Sequence, residues 1–124
     1  MRDCDNQAPE RLIQGIEEYN QGLYFECHET LEALWLEVQA PVRELYQGIL
    51  QVGVALYKQG QDNYRGTVNL LRRSLVHLAP VAPVCQGVDV ARLITEVEGL
   101  LAAVLALGPE RIGELDPASV PRVH

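Results

Sequence analysis

Long uninterrupted apolar runs are missing from this chain, so nothing in it reads as a bilayer span. The first residues, Met-Arg-Asp-Cys-Asp-Asn-Gln, lack the apolar stretch of a secretory leader. Cysteine is sparse: Cys4, Cys27 and Cys85 are an odd number, widely spaced, without a CxxC pair. That pattern argues against a disulfide framework and against a cysteine-rich zinc site, and the expected compartment is the cytoplasm. Positive charge is also short. Ten Lys and Arg face seventeen Asp and Glu, for a formal charge of −7, and an acidic surface repels phosphate backbones. The expectation is no nucleic acid and no membrane among the partners. No Gly-rich phosphate loop, nucleophile elbow or dinucleotide fingerprint is present.

What is present is helical periodicity over 124 residues, of which 48% are apolar, enough to build a core without staples. The expected fold is all-α: a single domain over 1–124, a compact array of about five helices in stacked hairpins, with an extended C-terminal tail. Punctuation places the helices at Pro9–Asn20, Tyr24–Val38, Pro41–Gly60 and Asn63–Leu78, and from behind Asp89 to Gly108-Pro109. Asp62 is the expected N-cap of the fourth helix, and nothing reads as a strand. The proline-rich stretch 109–124 is the tail, with Ile112, Leu115 and Val120 able to pin it to the body. Tyr19-Asn20-Gln21-Gly22 echoes Tyr57-Lys58-Gln59-Gly60, each followed by a tyrosine and a helix, which suggests two equivalent hairpins.

The second helix carries the unusual chemistry. On a wheel at about 100° per residue, Leu34, Cys27, Val38, Leu31, Tyr24 and Trp35 form a continuous apolar arc with His28 at its edge. Glu32 follows, and Phe25 and Leu36 lie beyond it, so Glu32 sits between large apolar residues as if interrupting a buried face. A buried carboxylate needs a partner or a proton. His28, one turn away, is within reach, and a His-Glu pair at that spacing can share a hydrogen bond or hold a metal. Three readings compete. The leading one is a non-enzymatic module that binds a partner or a small ligand at this constellation. The second is a metal-dependent enzyme using His28 with Glu29 and Glu32, which requires further ligands from Gln47, Gln51 or a second subunit. The third is a purely structural clamp between His28 and Glu32. His28-Glu29-Thr30-Leu31-Glu32 has the start of a metalloprotease HExxH helix, but Glu32 replaces the second histidine. The sequence leaves any cofactor unidentified.

The third helix is apolar around most of its circumference and should be central. Its narrow polar strip holds Arg43, Gln47 and Gln51, either as an exposed stripe or as support for the site, with Arg43 a bidentate partner for Glu32. Phe25, Trp35 and Tyr46 complete the supporting set. Gly48 and Gly53 cost helix propensity there, and close approach of a neighbouring helix explains them. The fourth helix should bury Tyr64, Val68, Leu71, Leu75 and Leu78, leaving Arg65, Arg72 and Arg73 on a solvated face. His77 near its end suits the helix dipole. Leu100 to Leu107 is apolar on all sides, so a homo-oligomer through this C-terminal helix is expected.

Three stretches also carry a resemblance: Tyr24-Phe25-Glu26-Cys27-His28-Glu29-Thr30-Leu31-Glu32-Ala33-Leu34-Trp35, Leu45-Tyr46-Gln47-Gly48-Ile49-Leu50-Gln51-Val52, and Asn63-Tyr64-Arg65-Gly66 before Leu70-Leu71. Together, over about residues 12–78, they resemble a bacterial and archaeal family of small helical proteins, domain of unknown function 309. The resemblance implies an all-helical array of five or six helices and no activity. The family's signature falls here on Phe25, His28, Glu29, Glu32, Trp35, Gln47, Gly48, Gln51 and Gly66. Cys27 and Thr67 stand where the family pattern leads one to expect alanine.

Overall fold

The computed structural model describes residues 2–124. Its helices are α1 (Glu10–Asn20), α2 (Tyr24–Glu37), α3 (Arg43–Gly60), α4 (Tyr64–Leu78) and α5 (Val90–Arg111). Short 3-10 turns cover Arg2–Asp5, Ala79–Val81, Ile112–Glu114 and Pro117–Ser119. The expected all-α array is thus observed, and no helix is long and apolar enough to cross a membrane.

α1–α2 and α3–α4 are two hairpins built alike. Each turns on a left-handed residue, Gly22 at φ +80° and Asp62 at φ +59°. Behind each, an amide closes a long bond to the helix just ended: Leu23 N to Glu18 O at 2.9 Å, and Asn63 N to Lys58 O at 2.9 Å. The equivalent positions are therefore forty residues apart, Tyr24 matching Tyr64, and not the thirty-eight that Tyr19 and Tyr57 suggest. Asp62 is consequently the turn residue and Asn63 the cap, its Oδ1 accepting from Gly66 N at 2.9 Å. Asp and Asn compete for both roles, and sequence order alone did not separate them.

α3 lies between α2 and α4, with ten of its side chains or glycines buried. The close approaches fall at glycines. A Cβ at Gly48 would meet Leu78 Cδ2 at 2.5 Å, and one at Gly15 would meet Leu31 Cδ2 at 2.4 Å. Gly53 is less constrained, its nearest neighbours being Tyr19 and Tyr24 at 3.7 Å. On α4, Leu71 and Leu78 are sealed, while Tyr64 and Leu75 are only half-buried; Arg65, Arg72 and Arg73 are exposed as expected.

Two features were not legible. A small antiparallel hairpin pairs β1 (Val84–Cys85) with β2 (Val88–Asp89) through Gln86-Gly87, both at positive φ as a tight two-residue turn requires. Two-residue strands are too short to show a period. Cys85 on that hairpin is disulfide-bonded to Cys4, eighty-one residues away, so the expectation that disfavoured a disulfide framework is corrected. Gln86 N donates to Cys4 O at 2.7 Å and holds the N-terminal turn against the hairpin. The expected cytoplasmic compartment, which drew on a cysteine pattern that disfavoured a disulfide framework, loses that support.

α5 has a break at Gly108 (φ +72°, ψ 178°), where the Gly-Pro stop signal lies, and resumes to Arg111. The stretch Leu100 to Leu107, apolar on all sides as read, is covered over most of its bulk: Leu100 and Val104 are buried, Leu101 and Leu107 half-buried, and Leu105 is its one large exposed apolar side chain. The tail is pinned by Ile112, Leu115 and Val120, and also by Val123, which is buried. Asn20 brackets the Val123 backbone, its Nδ2 donating to the carbonyl and its Oδ1 accepting from the amide, both at 2.9 Å. Tyr19 donates to Pro121 O at 2.8 Å.

Gly48→Ala should lower stability by about 1–3 kcal/mol through overpacking against Leu78. Gly53→Ala should be neutral or raise it by up to about 1 kcal/mol through helix propensity. Urea unfolding of the two variants checks the contrast; equal effects would show that α3 and α4 are not in contact at Gly48.

Candidate functional site

α2 buries Cys27, Leu31 and Leu34. Tyr24, His28 and Trp35 are half-buried, while Phe25, Glu29, Glu32 and Leu36 stand exposed on the outer face. Glu32 therefore does not interrupt a buried face. The residues that flank it, Phe25 and Leu36, are themselves 57% and 59% exposed. Large apolar residues are not always inside, and reading them as core misplaced the carboxylate. His28 Nε2 does meet Glu32 Oε2 at 3.1 Å, in an open setting with side chains 37% and 49% exposed. Among the described residues no group of three His, Cys, Asp or Glu comes together, and the pair offers two donors where a catalytic zinc takes three protein ligands.

The supporting residues divide. Arg43 does not reach for Glu32: its guanidinium lies 3.8 Å from the centre of the Trp35 ring, and its Nε is buried without a hydrogen-bond partner. Stacking on the indole supplies an attraction that needs no carboxylate. Gln47 is half-buried, whereas Gln51 is buried, its Oε1 unpartnered, and so is not part of an exposed stripe. Tyr46 is turned away from the site. It is sealed and donates to Gln86 Oε1 at 2.8 Å, bracing the disulfide-linked hairpin. At the same end of α3, Glu44 Oε2 pairs with His77 Nδ1 at 2.5 Å, so His77 ties α4 to α3 as well as closing a helix.

Beside His28 the α2–α3 junction opens into a cleft of about 210 Å³, lined by Tyr24, Phe25, His28, Val54, Tyr57 and Lys58. Val54, Tyr57 and Lys58 were not expected in the site. The repeat at Tyr57-Lys58 was the available signal, but it was read for fold alone. Tyr24 is steadied by an edge-on contact with Tyr19, ring centres 5.6 Å apart. Gly66 leaves room on the far side, since a Cβ there would lie 2.7 Å from Lys58 Cδ. A second cleft, of about 350 Å³, lies where Tyr19, Asn20 and Tyr24 meet the tail at Pro117–Arg122.

Beneath the α2 face lies Cys27, the free thiol. Burial, with a smaller contribution from Glu18, pushes its pKa up to about 12 from the ordinary 9.0. Burial also raises Tyr19 and Tyr24. The unfolded chain thus loses these protons first. The stabilisation is fully present below about pH 9 and drains away as the pH climbs toward 12. Cys27→Ala should accordingly lose less stability than the natural protein between pH 8 and pH 10 in urea unfolding. Equal losses would mean that the thiol is not held protonated by burial.

Residues 12–70, from α1 into α4, match the family model described as Domain of unknown function (DUF309). An uncharacterised protein of Aquifex aeolicus (strain VF5) is 23% identical over 97 residues, which is 77% of this chain and 29% of that protein. The uncharacterised protein YpuF of Bacillus subtilis (strain 168) is 42% identical over 53 residues, 42% of this chain and 30% of YpuF. The matched stretch is thus less than a third of the length of either curated relative.

Proposed function

We propose, for a chain whose residues 12–70 belong to the DUF309 family, that the protein is a non-enzymatic binding module whose α2–α3 cleft receives an apolar side chain of a protein partner. The observation that carries this reading is the cleft itself, with Phe25 and Tyr57, 57% and 48% exposed, at its rim. Exposed aromatic rings around a concavity are the usual anchoring chemistry of protein interfaces. At about 210 Å³ the cleft is smaller than the roughly 300–1,000 Å³ that encloses a drug-sized ligand, which favours one inserted side chain over a whole small molecule. His28 and Lys58 beside the apolar walls supply polar groups to orient the inserted segment. The relatives support the reading from another side, because the shared stretch is a fraction of each longer chain, as a reusable module would be.

N-acetyl-tryptophanamide, a minimal aromatic anchor, should shift the backbone amide resonances of Tyr24, Phe25, His28, Val54 and Tyr57 in a saturable way. Phe25→Ala should weaken that response while costing about 1 kcal/mol of stability or less, as expected for an exposed side chain. Shifts confined to the cleft under the tail, or scattered over the surface, would contradict the assignment.

A further inference from the structure

The C-terminal tail forms one wall of the larger cleft. Pro121 and Val123 are buried while Arg122 and His124 are exposed, the alternation of an extended segment lying in a groove. Its backbone is gripped along its length. Tyr19 holds Pro121, Asn20 holds both polar atoms of Val123, and the Asp89 amide donates to His124 O at 2.8 Å. Further back, Asp116 Oδ1 accepts from Ala118 N at 2.9 Å and caps the turn at Pro117–Ser119. The stretch between these ties faces Tyr19, Asn20 and Tyr24 across about 350 Å³. A wall tied at both ends is already ordered, which removes part of the entropic cost of binding. The volume falls within the roughly 300–1,000 Å³ of small-molecule sites, unlike the 210 Å³ of the α2–α3 cleft.

The lining has one distinctive chemistry. Tyr19, Tyr24, Pro117 and Pro121 offer flat surfaces against which an aromatic ring packs. Among the lining residues Arg122 carries the one formal charge. Elsewhere Arg11 pairs with Glu37, Arg92 with Glu96 and Arg111 with Glu114. The Arg122 backbone amide donates to Glu96 Oε1 at 3.3 Å, but its guanidinium forms no salt bridge among the described residues. Its charge reaches the Tyr19 phenol, where it opposes the rise in pKa that burial causes.

We infer that the cleft under the tail binds a small aromatic carboxylate, its ring against the tyrosines and prolines and its carboxylate on the Arg122 guanidinium. This second site goes beyond the side-chain anchor of the α2–α3 cleft and does not depend on it. A guanidinium presents a planar fork that matches one carboxylate. A phosphate monoester brings a second negative charge that no lining residue answers, in a chain whose formal charge is already −7. A cationic ligand meets Arg122 with no lining carboxylate to offset the repulsion. A neutral aromatic ligand fills the walls but leaves the guanidinium unpaired.

The test is a titration of the isotope-labelled full chain with sodium phenylacetate, read from its backbone amide resonances. Phenylethanol and phenylethylamine serve as the neutral and cationic counterparts. Phenylacetate should shift Asn20, Ala118, Val120 and Arg122 in a saturable way. Phenylethanol should bind about fivefold more weakly, and phenylethylamine should leave these resonances in place. Arg122→Gln should bring phenylacetate down to the affinity of phenylethanol. Arg122→Lys, which keeps the charge, should bind phenylacetate more tightly than Arg122→Gln. Unchanged Asn20 and Val123 resonances in the free variants verify that the tail stays docked, as expected for an exposed side chain. No saturable response, equal affinity for phenylethanol, or an Arg122→Gln variant that binds phenylacetate as well as the natural protein would overturn the inference. Shifts at Phe25, His28, Val54 and Tyr57 instead would put the carboxylate beside Lys58. That result overturns the site under the tail and leaves the α2–α3 anchor standing.

Discussion

The structure depends on helices meeting where one of them has no side chain. Gly15 admits Leu31 and Gly48 admits Leu78, and each contact joins the two helices of one hairpin at a distance a Cβ would forbid. Interiors are packed too tightly to absorb an intruding methyl group without strain. These two contacts set the spacing within the hairpins. α3 can then lie between α2 and α4 with Leu45, Ile49, Val52 and Leu56 buried. The same arrangement sets α2 and α4 on either side of α3 and leaves Phe25, Leu36 and Val76 exposed. The surface chemistry of the molecule is in this sense a consequence of its core.

Much of the fold was legible because long amphipathic helices announce themselves through period and punctuation. Gly22, Gly60 and Gly108-Pro109 marked the ends of α1, α3 and the main run of α5 correctly to within a residue or two. What escaped was short or non-local. The β1–β2 hairpin has too few residues for a pattern, and the bond between Cys4 and Cys85 is set by a contact across eighty-one residues of chain. Asn63 took the capping role expected of Asp62 because either residue can turn or cap. Val123 was missed as a tail anchor because its burial depends on Asn20, at the end of a helix a hundred residues earlier.

The direction of the α2 face was legible in the sequence but its depth was not. His28, Glu32, Phe25 and Trp35 do share one side of α2, and His28 does meet Glu32. The wheel gives direction around a helix but not how far a neighbour covers it. Nothing in the described residues covers Phe25 or Leu36, so the polar pair between them is a surface feature. Arg43 shows the same limit: its i,i+4 alignment with Gln47 was correct, while its partner proved to be the face of Trp35. A surface of this kind, apolar and charged at once and built on rigid helices, is suited to holding another protein.

The central claim is that the His28–Glu32 pair belongs to an exposed binding face and not to the core. Its most direct measurement is the stability of His28→Ala by urea unfolding at low protein concentration. The account predicts a loss of about 1 kcal/mol or less, the range for exposed ion pairs. A loss of about 3 kcal/mol or more, as when one partner of a buried pair is removed, would contradict it and return the pair to the role of an internal clamp.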